Sequence, residues 1–233
     1  MVASSTDSRF DVQSVKVDIW SDIACPWCYV GKRRLEAGIA AAQQTHPNLE
    51  VEIEYHSFEL SPGTPVDFDG TEVDFLVGHK GMPEGQVRDM LRQMTTLAAE
   101  HGLAYDFDAL QVTGTLLAHE LLHFAKAHGL QLEMKERLLA AHFVEGRHVG
   151  QIDALVELAS EVGLDTDAAR QALESHAHAA DVQADLAQAT DLGISGVPFH
   201  VIDGRYGVSG AQPAEAFAEV LDRVLAERQE ATA

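Results

Sequence analysis

The chain of 233 residues contains two cysteines, Cys25 and Cys28, which are separated only by Pro26 and Trp27. A fold held together by disulfides needs more cysteines than this, so the pair is not a structural framework. A structural zinc site usually takes four Cys or His ligands, and the sequence has no second cysteine cluster. The chemistry that remains for a Cys-x-x-Cys pair is redox chemistry, in which one thiolate attacks a disulfide and the second cysteine releases the product.

The residues around the pair place it between a strand and a helix. Residues 15–19 alternate between apolar and polar types, which is typical of a half-buried strand. Residues 29–44 are rich in Ala, Leu, Lys and Arg and predict a helix. Pro26 suits the first helical turn. We therefore expect Cys25 at the helix N-terminus, where unpaired N–H groups and the helix dipole favour a thiolate.

The composition is that of an acidic globular protein. Hydrophobic residues make up 46% of the chain, and the formal net charge is -21. This charge disfavours nucleic acid and anionic membranes as partners. Residues 1–14 are polar and lack the apolar segment of a secretion signal, and no apolar run approaches the roughly 20 residues of a membrane span. We expect a cytoplasmic protein whose dithiol is mostly reduced.

The rest of the chain has sheet-forming ends and a helical middle. Residues 51–58 predict a second strand, parallel to the first because a helix connects them. A linker follows at 61–70, and the pattern is then helical only until about residue 178. Residues 181–192 predict a helix, and residues 196–209 predict two strands that precede a last helix. Three helices end on a Gly-Leu pair, the pattern of a glycine C-cap: Gly102-Leu103, Gly129-Leu130 and Gly163-Leu164.

This order of elements resembles the thioredoxin fold, and the helical insertion resembles the DsbA family. The similarity is to its FrnE-type cytoplasmic branch in particular, and six stretches carry it: residues 21–28, 31–32, 58–60, 118–121, 193–198 and 210–212. The resemblance implies an α/β protein. Its discontinuous thioredoxin-like domain would comprise residues 15–66 and 179–229, interrupted by an all-helical domain at residues 67–178.

The resemblance also implies roles for individual residues. Cys25 would be the nucleophile and Cys28 the resolving cysteine of a thiol–disulfide oxidoreductase or isomerase. Pro198 would be a cis-proline that presents the Val197 backbone to a substrate, and the Pro-Trp dipeptide between the cysteines would tune the dithiol. The expected substrates are protein or small-molecule disulfides, with glutathione as a candidate co-substrate. No metal or organic cofactor is implied, because the dithiol carries the electrons.

Two further sites are weaker candidates. Glu59, at the end of the second strand, is a candidate for moving protons to and from the dithiol. Ser209, Gly210, Ala211 and Gln212 precede the last helix, whose N-terminus could bind a substrate carboxylate. Helix capping alone explains these four residues equally well.

Three other functions stay open. Glutathione-dependent enzymes of the hydroxychromene-carboxylate isomerase and kappa glutathione transferase group share the fold, but generally have serine in place of Cys25 and do not need Cys28. A non-enzymatic binding module would carry an unreactive dithiol. The stretch His119-Glu120-Leu121-Leu122-His123 matches the zinc protease pattern H-E-x-x-H. With twelve histidines in the chain, however, a chance match is easy.

Overall fold

The computed structural model describes residues 13–232, so the polar residues 1–12, on which part of the secretion argument rests, lie outside the described residues. The helices and strands follow in this order: β1 (Gln13–Ser21), α1 (Pro26–Thr45), β2 (Leu49–Ser57), α2 (Glu72–Lys80), α3 (Glu84–Glu100), α4 (Leu116–Ala127), α5 (Gln131–Phe143), α6 (Ile152–Glu161), α7 (Thr166–Glu174), α8 (Ala179–Asp191), β3 (Phe199–Ile202), β4 (Tyr206–Ser209) and α9 (Ala214–Thr232).

The four strands form one mixed sheet in the order β2-β1-β3-β4. The central strand β1 pairs in parallel with β2 and antiparallel with β3, so Ile19 lies between Tyr55 and His200. Helices α1 and α9 pack together, and residues from both join the sheet in one hydrophobic cluster that includes the wholly buried Phe217 and Leu221. The packing of α1 and α9 on the sheet fixes the position of β1, and the two cysteines come shortly after its last residue.

A second hydrophobic core is built almost entirely from the helices between β2 and β3. Leu121 of α4, Leu138 of α5 and Leu155 of α6 are completely buried in it. Gln131 joins this bundle to the sheet, because its side-chain amide accepts from the Tyr55 N–H at 3.0 Å and donates to the Tyr55 carbonyl at 2.8 Å. Helix α5 is thereby held against the edge strand β2.

The predicted α/β fold with a DsbA-like helical insertion is confirmed. The exact division into residues 15–66 with 179–229 and an insert of residues 67–178 stays a prediction. Gly102, Gly129 and Gly163 have φ angles of 73°, 73° and 87°. A glycine that ends an α-helix in the left-handed conformation requires such positive values. Within residues 13–232, no helix combines the length and the apolar composition needed to span a bilayer.

One helix lies in the stretch predicted to be helical but was not delimited from the sequence. Residues 72–80 form α2, directly after the expected linker. Its boundaries are marked by local chemistry: Thr71 and Asp74 form a capping box, and Gly81 ends the helix in the left-handed conformation. The hydrophobic periodicity of this short helix is too weak to show, so capping residues were the only usable signal.

Candidate active site

Both cysteines lie where β1 leads into α1. Cys25 is the N-cap residue of α1, with extended backbone angles (φ -94°, ψ 109°), and Pro26 occupies the first turn. The Cys28 N–H donates to the Cys25 carbonyl at 3.0 Å, which closes the turn between them. Both are free thiols and each is only 3% exposed. The predicted placement of the pair at a helix N-terminus is therefore what the structure shows.

The two thiols are hydrogen-bonded to each other, so they share the remaining proton once the pair carries one negative charge. That hydrogen bond, together with burial, raises the pKa of Cys25 well above its usual value. Burial opposes ionisation of Cys28 as well, but the bond from Cys25 and the positive charge of Lys135 lower the pKa of Cys28 overall. The first negative charge of the resting pair is thus on Cys28, whereas the sequence placed it on Cys25. A proton shift between the sulfur atoms moves the charge to Cys25.

A buried acid lies three residues before Cys25. Asp22 is 1% exposed and accepts hydrogen bonds from the Leu60 N–H and the Thr115 hydroxyl, both at 2.8 Å. Its carboxylate also pairs with Nε2 of His119 at 3.3 Å. Burial raises the pKa of Asp22, but the bonds from His119 and the other two donors hold it below its usual value. Asp22 is therefore a fixed anion beside the dithiol.

Lys135 brings a positive charge to the same region from α5. Its side chain is completely buried, and its ammonium lies 5.3 Å from the centre of the Tyr55 ring. Burial lowers the pKa of Lys135 to about 8, although the charges of Cys28 and Asp22 act in the opposite direction. Lys135 can therefore serve as the countercharge of the dithiol when one thiol has ionised.

The loop before β3 approaches the dithiol from the other side. The Val197–Pro198 peptide bond is cis. The Cys25 thiol donates to the Val197 carbonyl at 3.5 Å, and the Gly210 N–H donates to the Pro198 carbonyl at 2.8 Å. The loop thus contacts Cys25 through its backbone.

A cavity of about 510 Å³ opens beside the pair. Ala24 and Pro26, on either side of Cys25, line it together with the 45% exposed Trp27. The opposite wall comes from α2, α3 and the loop before α4, and most of its side chains are apolar: Phe75, Leu76, Met90, Leu91, Met94, Leu97 and Val112. A ligand of small-molecule size fits such a space.

The weaker sequence candidates lie outside this cavity. None of Ser209, Gly210, Ala211 and Gln212 lines it. Gln212 instead donates to the Ser209 carbonyl at 2.8 Å, and the Ala211 carbonyl accepts from Arg34 at 2.6 Å. Burial raises the pKa of Glu59. Of its two neighbours, His119 lowers this pKa and Asp22 raises it. Asp22, one of whose neighbours is Cys25, is the better placed carboxylate.

The H-E-x-x-H residues contact three different partners. His119 pairs with Asp22, Glu120 with His176 at 2.9 Å, and His123 with Asp185 at 3.0 Å. Among the described residues, the acidic and histidine groups close enough to share an ion are instead Asp18, Glu54 and His56. Lys16 already bridges Asp18 and Glu54 at 2.8 Å each. The arrangement favours structural roles for all of these residues.

Sequence reasoning missed four residues at this site: Asp22, Tyr105, Lys135 and His142. Tyr105 donates from its hydroxyl to the Pro26 carbonyl at 2.7 Å, and His142 lines the cavity. Lys135 carried a usable signal, because it sits among the apolar positions of an otherwise amphipathic helix. The others depend on how distant segments meet, which no local pattern records.

Comparisons with known proteins agree with this architecture. The model of the DSBA-like thioredoxin domain matches residues 16–222. The probable DsbA oxidoreductase SCO1869 from Streptomyces coelicolor is 40% identical, with 91% of each chain covered and a TM-score of 0.84.

Two more distant structures show the same fold. A 2-hydroxychromene-2-carboxylate isomerase is 15% identical and covers 94% of this chain and 100% of its own, with a TM-score of 0.68. The cytosolic disulfide reductase DsbM from Pseudomonas aeruginosa, in a structure with GSH, is 21% identical and covers 90% of this chain and 98% of its own, with a TM-score of 0.58. Since the family model spans most of the sequence, this chain belongs to the family of DSBA-like thioredoxin domain proteins.

Proposed function

We propose that this protein is a thiol–disulfide oxidoreductase that works through a mixed disulfide on Cys25. The observation that carries the proposal is the pair of adjacent free thiols at the N-terminus of α1, with a buried cation next to them and a cavity beside them. Membership of the DSBA-like family supports the same chemistry.

The reaction begins when the shared proton moves to Cys28 and leaves Cys25 as the thiolate. The Cys25 sulfur attacks one sulfur of the substrate disulfide, so a Cys25–substrate bond forms and the substrate S–S bond breaks. The departing thiolate takes up the proton that Cys28 carries. Cys28, now a thiolate stabilised by Lys135, attacks the Cys25 sulfur and expels the second substrate sulfur as a thiolate, which takes a proton from water. One substrate disulfide is reduced to two thiols, and the protein dithiol becomes a disulfide.

We further propose that the protein works in the cytoplasm and that a thiol such as glutathione restores its dithiol. A reducing compartment keeps such pairs mostly as thiols. The DsbM structure with GSH shows that a protein of this fold accommodates that tripeptide. No separate cofactor is needed in this scheme. The glutathione-dependent isomerase remains the second candidate, on the shared fold alone.

Single substitutions of the two cysteines test the proposal. Cys25→Ser should abolish exchange with a small disulfide, because the attacking sulfur is gone. Cys28→Ser should still form the mixed disulfide but fail to release it, so the adduct accumulates. Intact-protein mass spectrometry after mixing detects the adduct. Equal and undiminished turnover in both variants would rule out the proposed mechanism and favour a cysteine-independent isomerase.

A further inference from the structure

The cavity beside Cys25 is apolar but carries an uneven set of charges. Its wall includes Asp22, Glu72 and His142 as titratable residues, and none of the described lining residues is Lys or Arg. A ligand entering this space therefore meets carboxylates without a compensating cation. This charge distribution matters because small disulfides in cells differ strongly in net charge.

Asp22 and His142 are not available to pair with a charged group of a ligand. The Asp22 carboxylate is already occupied by the Leu60 N–H, the Thr115 hydroxyl and His119. His142 is 2% exposed, and burial lowers its pKa to about 4, which keeps it neutral near pH 7. Only Glu72 is left to interact with a charged group in the cavity.

Glu72 is the first residue of α2 and is half-buried at the cavity wall. No described side chain forms a hydrogen bond or an ion pair with its carboxylate, and burial alone raises the pKa of Glu72 to about 7. The N-terminus of α2 favours the ionised form. A cation bound next to Glu72 would ionise it fully and would offset the cost of its burial.

We propose that Glu72 makes this cavity selective for the disulfide of an apolar, amine-bearing small molecule over anionic disulfides such as oxidised glutathione. The apolar body would fill the space between Trp27 and Met94, and the ammonium group would lie beside Glu72. The inference rests on the oxidoreductase function proposed above and uses the same exchange. The substrate S–S bond is cleaved, two amine-bearing thiols leave, and the Cys25–Cys28 disulfide forms.

The experiment compares two disulfides that share an aromatic body and differ in charge, para-aminomethylphenyl disulfide and para-carboxyphenyl disulfide. The rate constant of the reduced protein with each is divided by that of free dithiothreitol, which corrects for intrinsic reactivity. We expect the wild type to prefer the cationic compound by about tenfold or more, as expected for one ion pair. Glu72→Gln should lose most of this preference, and Glu72→Lys should reverse it.

Glu84→Gln is the matched control, because Glu84 is also the first residue of a helix but does not line the cavity. It changes the net charge equally and should keep the preference. A wild type that prefers the carboxylate, or a preference that Glu72→Gln and Glu72→Lys leave intact, overturns the inference while leaving the oxidoreductase in place. Failure to reduce either compound overturns the oxidoreductase proposal and this inference with it.

Discussion

The ammonium of Lys135 lies wholly inside the protein and has no hydrogen-bond partner among the described residues. A buried charge of this kind costs stability unless an opposite charge lies close to it. The anionic dithiol and Asp22 supply that charge. Replacing Lys135 should therefore remove the countercharge of the dithiol and of Asp22.

Lys135→Met should raise the pKa at which the dithiol first ionises, because a nearby cation is removed. The same variant should have a lower free energy of unfolding where the dithiol is ionised, because the buried thiolate and Asp22 then lose their countercharge. Thiolate absorbance against pH and urea unfolding measure the two effects.

Lys126→Met is the control for this substitution. Lys126 is also in the helical region, but its ammonium is exposed and pairs with Glu54. It should leave the thiol pKa unchanged. A thiol pKa that stays the same or falls in Lys135→Met would contradict the assigned role of Lys135.

The cysteine pair could be identified from sequence because its residue type and spacing are local signals, whereas the role of Pro198 came only from the family resemblance. Lys135 and Asp22 could not be assigned a role, because each acts through contacts between segments far apart in the chain. The sequence also could not show which of the two cysteines ionises first. The helix N-terminus alone favours a Cys25 thiolate, but the hydrogen bond between the two thiols and, after it, the charge of Lys135 lower the pKa of Cys28.

Helices α1 and α9 approach each other closely at Gly38. A Cβ atom there would lie 2.6 Å from the Ala214 carbonyl oxygen and 2.7 Å from the Phe217 Cβ. Backbone and Cβ atoms cannot move away as the end of a long side chain can. The close packing of α1 against α9 therefore depends on the absence of a side chain at Gly38. The same helix carries the dithiol at its N-terminal end.

Gly38→Ala should lower the free energy of unfolding by about 1–3 kcal/mol, as overpacking in a tight interface does. Gly78→Ala is the matched control inside α2, where an added Cβ meets nothing within 4 Å. There the higher helix propensity of alanine should raise stability by up to about 1 kcal/mol. Urea unfolding of both variants measures the difference, and similar effects of both substitutions would contradict the packing argument.

Most elements could be predicted because their patterns are strong. Strand alternation in residues 15–19 and the Gly-Leu helix ends located several elements within a few residues. Helix α2 was not delimited because its hydrophobic periodicity is weak and it follows a Pro- and Gly-rich stretch. Its position proved important, since it supplies Glu72 to the cavity.

The whole protein should lose stability in mild acid because two histidines are buried in neutral form. Burial lowers the pKa of both His142 and His200 to about 4. In the unfolded chain both would titrate near 6.5, so the unfolded state binds more protons between these values. His56, whose bonds to Asp185 and Asp18 raise its pKa despite burial, acts oppositely. Its contribution is lost as the pH rises above 6.5 and is complete below that value.

Glu72, whose pKa burial raises from its usual 4.5 to about 7, also acts oppositely, because the folded state binds its proton first. Between pH 6.5 and about 4, we expect each of the two buried histidines to lower the free energy of unfolding by about 3 kcal/mol. His200→Phe should reduce this loss by about half, because one of the two groups can no longer bind a proton. The hydrogen bond from His200 to the Val208 carbonyl is also lost, so the change with pH is the informative quantity. Urea unfolding at several pH values measures it, and an identical loss in wild type and variant would refute the assignment.

The central claim is that Cys25 and Cys28 act together as one two-electron couple. Equilibration of the protein in glutathione redox buffers, followed by alkylation of the free thiols, tests it most directly. We predict that both thiols are lost together with a two-electron dependence. The midpoint should lie between the values of about -270 mV for thioredoxin and about -120 mV for DsbA. A pair that does not equilibrate, or cysteines that are glutathionylated independently without forming an internal disulfide, would contradict the account.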